Sequence, residues 1–293
     1  MKQDIFGTRV IDRRAFLRSS LLVTAGGLLV ACSKQASPEG LSVFAGGSDY
    51  LSEVAQPFTF GLLDPAGQPL EGDAGRVRVA FVPPAGKGSR FEADASWQPF
   101  RTASLRDVSG TDPRGYFLTT MTSMPAGLID VHVETPRGRG MTTVQVTEDP
   151  VAPVRGDIPP ALVTPTTDRP RGVEDVCTRK PACGLHEMTL ESAVNREGPT
   201  VVLIGSPLLC SSRMCGPVLE ELLSVTEART EANYLHLEPY ASRSTIDLTE
   251  VMKRWNLPSE PWLFVLQDGV VRERFEGPVR AAAMVAAIDA ASA

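Results

Sequence analysis

Thr200-Val201-Val202-Leu203-Ile204-Gly205-Ser206-Pro207-Leu208-Leu209-Cys210-Ser211-Ser212-Arg213-Met214-Cys215-Gly216-Pro217 is the stretch whose reading decides the fold. Its opening run, Thr200 to Ile204, has no polar alternation, which marks a strand buried on both faces. Beyond the second cysteine, Val218, Leu219, Leu222, Leu223 and Val225 recur at helical spacing. The two cysteines therefore stand where a buried strand turns into a helix.

Downstream, Tyr234 to Glu238 reads as a second buried strand and residues 248–255 as a short helix. Trp262 to Leu266 and Val270 to Phe275 form a hairpin across Asp268-Gly269, a strong two-residue turn signal. An alanine-rich helix closes the chain over 280–291. Upstream the periodicity changes. Gln56 to Leu62, Arg76 to Val82, Tyr116 to Thr122, Gly127 to Glu134 and Gly140 to Val146 are short strands separated by Gly/Pro turns. That pattern predicts an antiparallel sandwich over 41–149, similar to an immunoglobulin-like domain. Residues 150–170 hold Pro150, Pro153, Pro159, Pro160, Pro165 and Pro170, and read as a stiff linker. No catalytic constellation appears in the first half, and His132 reads as packed or exposed within a strand.

The order of elements after 171 resembles a thioredoxin fold. Cys215-Gly216-Pro217 resembles the start of that family's Cys-Gly-Pro-Cys motif, and Leu257-Pro258-Ser259-Glu260-Pro261-Trp262 resembles its cis-proline segment, with Pro261 at the matching position. The expected fold is thus a multidomain chain, an all-β immunoglobulin-like sandwich followed by an α/β thioredoxin-like domain over 171–293. The resemblance implies a thiol–disulfide oxidoreductase in which Pro261 positions substrate. Departures are evident: Val218 stands where the second motif cysteine belongs, Cys210 is new, and the strand before the motif carries no aspartate. The Cys-x4-Cys spacing also resembles one class of peroxiredoxins, although Pro207 occupies the position where those enzymes carry Thr or Ser. A non-enzymatic binding or copper-delivery protein is the third reading.

The placement has a chemical reason. The thiolate is the reactive form of cysteine. A helix N-terminus stabilises it through unpaired N–H groups and partial positive charge, and Arg213 adds to that field. Residues five apart in regular helix are turned roughly 140° from each other with Cα atoms about 8–9 Å apart, beyond the roughly 7 Å that a disulfide tolerates. Cys210 is therefore expected in the loop and Cys215 at the first turn. Counting from the buried strand makes Cys210 the attacking thiol; the Gly-Pro match points to Cys215. Cys177 and Cys183, with His186 close behind, form a second pair. A disulfide closing a small loop, a relay pair, and a metal site with His186 (copper, given Met188 and Met214) all remain open. His236, inside an apolar run, reads as core.

At the N-terminus, Arg13-Arg14-Ala15-Phe16-Leu17 precedes ten apolar residues (21–30) and then Leu29-Val30-Ala31-Cys32. Ten apolar residues do not span a bilayer, which needs about 20. The segment resembles a twin-arginine signal peptide over 1–31 that ends in a lipobox. The resemblance implies lipidation of Cys32, a flexible tether over 32–40, and a membrane-anchored, extracytoplasmic protein. Among the five cysteines, four remain for the folded part; in that compartment a paired count favours disulfides. The net charge of −6 is spread along the chain, with no basic stripe for nucleic acid. The expected partners are protein thiols or disulfides and the membrane, with the chain monomeric and no cofactor.

Overall fold

The computed structural model describes residues 40–101, 114–245 and 247–293. The signal, Cys32 and the tether up to 39 lie outside them. The first half forms eight strands: β1 (Gly40–Ala45), β2 (Tyr50–Leu51), β3 (Gln56–Leu63), β4 (Val77–Val82), β5 (Phe91–Pro99), β6 (Gly115–Met121), β7 (Gly127–Thr135) and β8 (Gly138–Thr147). Their order is β1-β3-β6-β5-β4-β7-β8, and β1 pairs again with β8 in parallel, so seven strands close a barrel with β2 appended to β8. Period-two alternation drives this: Phe58, Phe60 and Leu62 of β3, Val77, Val79 and Phe81 of β4, and Ile129, Val131 and Val133 of β7 all point into one core. Phe58 and Phe81 meet edge-on, 5.2 Å apart.

The second half forms α1 (Leu190–Val194), β9 (Thr200–Ile204), α2 (Cys215–Ala228), β10 (Asn233–Leu237), α3 (Glu250–Arg254), β11 (Trp262–Gln267), β12 (Val270–Glu276) and α4 (Ala281–Ser292). The sheet order is β10-β9-β11-β12, with β9 and β10 parallel and β11 antiparallel to both its neighbours. Alternate residues of β9 enter different cores, which explains the run without polar alternation. Val201 and Leu203 face Val218, Leu222, Met284 and Ile288 of α2 and α4. Val202 and Ile204 face Leu190, Met252 and Trp255 on the other side.

This architecture corrects the expected fold class. The chain is mostly β and contains a closed barrel, not an immunoglobulin-like sandwich followed by an α/β thioredoxin-like domain. A sandwich keeps two sheets with free edges; here the β1–β8 pairing removes the edges of a single sheet. Helix is confined to four short segments among the described residues, and α1 and α3 are only five residues each. Irregular chain covers the sheet beside them: Ala152 and Leu162 join that core, and the Trp255 indole N–H donates to the Pro160 carbonyl at 3.0 Å.

Barrel and second sheet belong to one compact unit. Its clamp is Asp49, whose side chain is wholly buried. The carboxylate accepts from the Val151 and Ala152 amides at 3.0 and 3.1 Å and from Arg274 Nη1 at 2.7 Å. Arg274 in turn lies over the Trp262 ring.

Barrel closure depends on one small residue. A Cβ at Gly140 of β8 would lie 2.4 Å from the Leu41 carbonyl oxygen and 2.7 Å from Val43 Cγ2. We expect Gly140→Val to lower stability by about 2 kcal/mol through overpacking, seen as a lower urea midpoint at unchanged slope. An unaltered midpoint would show that β1 does not seal the barrel.

Candidate functional site

β9 ends at Ile204, and the chain turns through Gly205 and Ser206 into a loop carrying Cys210. The Cys210 amide donates to the Ser206 carbonyl at 3.1 Å, and the Ser206 hydroxyl accepts from the Leu209 amide at 3.2 Å. Cys215 is the first residue of α2. With Cys210 in the loop rather than the helix, the geometric bar on a five-residue spacing does not apply. The two sulfurs and a carboxylate oxygen of Glu260 all lie within 4.8 Å of one another. Pro261, which follows a cis peptide bond, packs across the corner. A Cβ on Gly205 would sit 3.1 Å from Pro261 Cβ and 3.2 Å from Cys215 Sγ. Cys210, Cys215 and Pro261 are thus brought together.

The two thiols have unlike surroundings. Cys210 is 9% exposed and Cys215 1%. The Cys215 thiol, helped by the Cys215 amide and the Ser212 hydroxyl, hydrogen-bonds the Cys210 sulfur and holds its pKa down at about 7 against the opposing effect of burial. Burial pushes Cys215 well up, and Cys210 and Glu260 push the same way. The Cys215 thiol lies 3.3 Å from Glu260 Oε2, which also accepts from the Ser206 amide at 2.6 Å. Burial raises Glu260 above the usual carboxylate range despite those hydrogen bonds. The strand before the cysteines, Thr200 to Ile204, carries no acid. The acid comes instead from the loop before β11. Its position directly before Pro261 was the available signal.

The second cysteine pair lies on the other side of Gly205. Cys177 and Cys183 are free thiols with sulfurs 3.7 Å apart. His186 Nε2 lies 3.2 Å from Cys183 Sγ, and His236 Nδ1 lies 3.4 Å from Cys183 Sγ and 4.0 Å from Cys177 Sγ. His236 Nε2 donates to the Gly205 carbonyl at 2.7 Å. Both imidazoles are buried, His236 completely. The intervening loop is tied down on both sides. The Thr178 amide donates to Glu238 at 2.7 Å, and Arg179 pairs with Glu220 at 2.8 Å with both side chains about nine-tenths buried. His236 was read from sequence as core; it is buried, yet its ring faces two sulfurs. Nothing local to β10 signals this, since the partners come from about 50 residues upstream. His132, on β7, pairs across to Ala80 and Met141 and touches neither cluster.

Comparison with known proteins names no family. No family model matches the chain, and no curated protein matches by sequence. Among solved structures, domains 4 and 5 of the S-layer protein SbsC share 13% identity over 36% of this chain and 44% of that one, at a TM-score of 0.20. BslA, a bacterial hydrophobin, shares 10% over 37% of this chain and 98% of that one, also at 0.20. A titin fragment, A168169, shares 13% over 44% and 54%, again at 0.20. The chain spans less than half of the S-layer fragment. Scores this low carry no argument about fold or function. The resemblance to thioredoxin-like lipoproteins, drawn from the order of elements and from motifs, is corrected by the mostly β architecture around a closed barrel.

Proposed function

We propose that the chain is a thiol–disulfide oxidoreductase working through Cys210 and Cys215. One observation carries this reading: two reduced sulfurs within 4.8 Å of each other and of the partly buried Glu260 carboxylate, one with a thiolate accessible near neutral pH and the other held protonated. In the reducing direction, the Cys210 thiolate attacks one sulfur of a substrate disulfide. A mixed disulfide forms, and the first substrate thiolate leaves and takes up a proton. Cys215 then passes its proton to Glu260 and attacks the Cys210 sulfur. The second substrate thiol is released and a Cys210–Cys215 disulfide remains. Two electrons have moved to the substrate, and an external dithiol restores the pair by the same steps reversed. Pro261 offers the wall of the corner against which a substrate chain lies.

Anchoring belongs to the same proposal and rests on the sequence around Cys32. No helix among the described residues is long and apolar enough to cross a membrane. Incorporation of labelled fatty acid should therefore disappear in Cys32→Ala; retained label would remove the anchor.

The alkylation rate of Cys210 in the reduced wild-type protein should rise with pH and level off above a midpoint of about 7. Below that midpoint it should fall about tenfold per pH unit as the thiolate is protonated. Cys210→Ser should abolish reduction of a model disulfide, and Cys215→Ser should accumulate the mixed disulfide with substrate. Undiminished turnover by Cys210→Ser would sink the assignment. Glu260→Gln should leave the first step intact and slow resolution of the mixed disulfide by on the order of 10²-fold. Equal slowing of both steps would deny Glu260 its role as the proton acceptor of Cys215.

A further inference from the structure

We propose that Cys177, Cys183, His186 and His236 form a four-ligand zinc site that pins the 177–186 segment to β10. The donors are Cys177 Sγ, Cys183 Sγ, His186 Nε2 and His236 Nδ1, all within 4.8 Å of one another. Zinc bonds of about 2.3 Å to sulfur and about 2.0 Å to nitrogen give tetrahedral edges of about 3.8 Å between sulfurs and about 3.5 Å between sulfur and nitrogen. The corresponding separations are 3.7 Å between sulfurs, and 3.2, 3.4 and 4.0 Å from sulfur to nitrogen. Four donors from two separate stretches of chain, the 177–186 segment and β10, already lie near the corners of one tetrahedron.

The surroundings support coordination over a Cys177–Cys183 disulfide. His236 Nε2–H is committed to the Gly205 carbonyl, which fixes the tautomer and turns the Nδ1 lone pair toward the sulfurs, as is typical around metal-bound imidazole. A disulfide would offer no donor to the buried His236 Nδ1 lone pair that faces it; zinc uses all four groups. Two thiolates and two neutral imidazoles give a net neutral site with a divalent ion, suited to this buried position. Binding releases the two thiol protons. Ion entry is open from one side, where His186 and His236 line a cavity of about 370 Å³ with Val176, Leu237 and Glu238. All four positions are filled by protein, so the site is structural. Because Thr178 also hydrogen-bonds Ser206 and the Leu208 amide, the same ion steadies the floor beneath the Cys210 loop.

The test uses the full chain, purified reduced, stripped with a chelator and titrated with zinc or cobalt(II). One equivalent of zinc should be retained by the wild type and by the Cys210→Ser/Cys215→Ser double variant, and lost from Cys183→Ser. The double variant separates this site from the proposed dithiol activity, since it removes the second without touching the first. Cobalt(II) should give the intense visible bands of a tetrahedral site. His186→Cys, which keeps four ligands, should still bind and raise the thiolate-to-cobalt charge-transfer intensity by about half, three thiolates replacing two. Zinc retained by Cys183→Ser, an unchanged cobalt spectrum in His186→Cys, one equivalent of copper(I) with zinc excluded, or a Cys177–Cys183 disulfide persisting with zinc present would each overturn the proposal.

Discussion

A side chain at Gly205 would crowd both walls of the dithiol corner. Its Cβ would press on Pro261 at 3.1 Å and on the Cys215 sulfur at 3.2 Å, while its carbonyl is already held by His236 at 2.7 Å. The end of β9 is thus a point that both sulfur clusters touch. On one side the missing side chain lets α2 and the Pro261 loop close until Cys215 reaches Glu260. On the other, the backbone carbonyl orients an imidazole toward Cys177 and Cys183. Ser206 repeats the pattern one residue later: its amide holds Glu260, and its hydroxyl meets Thr178. Both sites are assembled on strand-end backbone, where hydrogen-bonding groups no longer used by the sheet are available.

The rest of the architecture keeps that strand end rigid. β9 lies between β10 and β11, buried on both faces, so Gly205 is fixed by cores above and below. The barrel joins through Asp49, Arg274 and the Val151 and Ala152 amides. A buried ion pair of this kind is weak evidence for net stability, but it has strong directional demands. Removing either charge would leave the other desolvated. Arg274 stands on β12, which pairs with β11, the strand that begins just after Pro261. Glu276, at the end of β12, accepts from Ser259 on the proline loop and from Ser48 and the Asp49 amide beside the barrel. The barrel therefore braces the wall of the dithiol corner from behind.

Local sequence displayed the individual elements well. Thr200 to Ile204, the Asp268-Gly269 hairpin and the alternating strands from Gln56 to Val146 were legible because period and turn chemistry are properties of neighbouring residues. How the elements associate was not legible. Whether alternating strands form two open sheets or one closed barrel turns on β1 meeting β8, a pairing across about 100 residues permitted by Gly140. The same limit applies beside the helices: the short helix expected over 248–255 is present as Glu250–Arg254, but nothing local showed that irregular chain would share its core.

By itself, the sequence determined most strand positions (β1, β2 and β5 excepted), the Asp268-Gly269 hairpin turn, the strand-to-helix corner bearing Cys210 and Cys215, and the proline that faces it, because each is written in adjacent residues. Only the tertiary structure decided that the first sheet closes, that Glu260 supplies the acid absent from β9, and that His236 turns toward Cys177 and Cys183. These follow from the pairing of strands distant in the chain and from which polar groups the buried sheet leaves needing partners. No local pattern encodes that accounting; it is settled only when the whole core is packed.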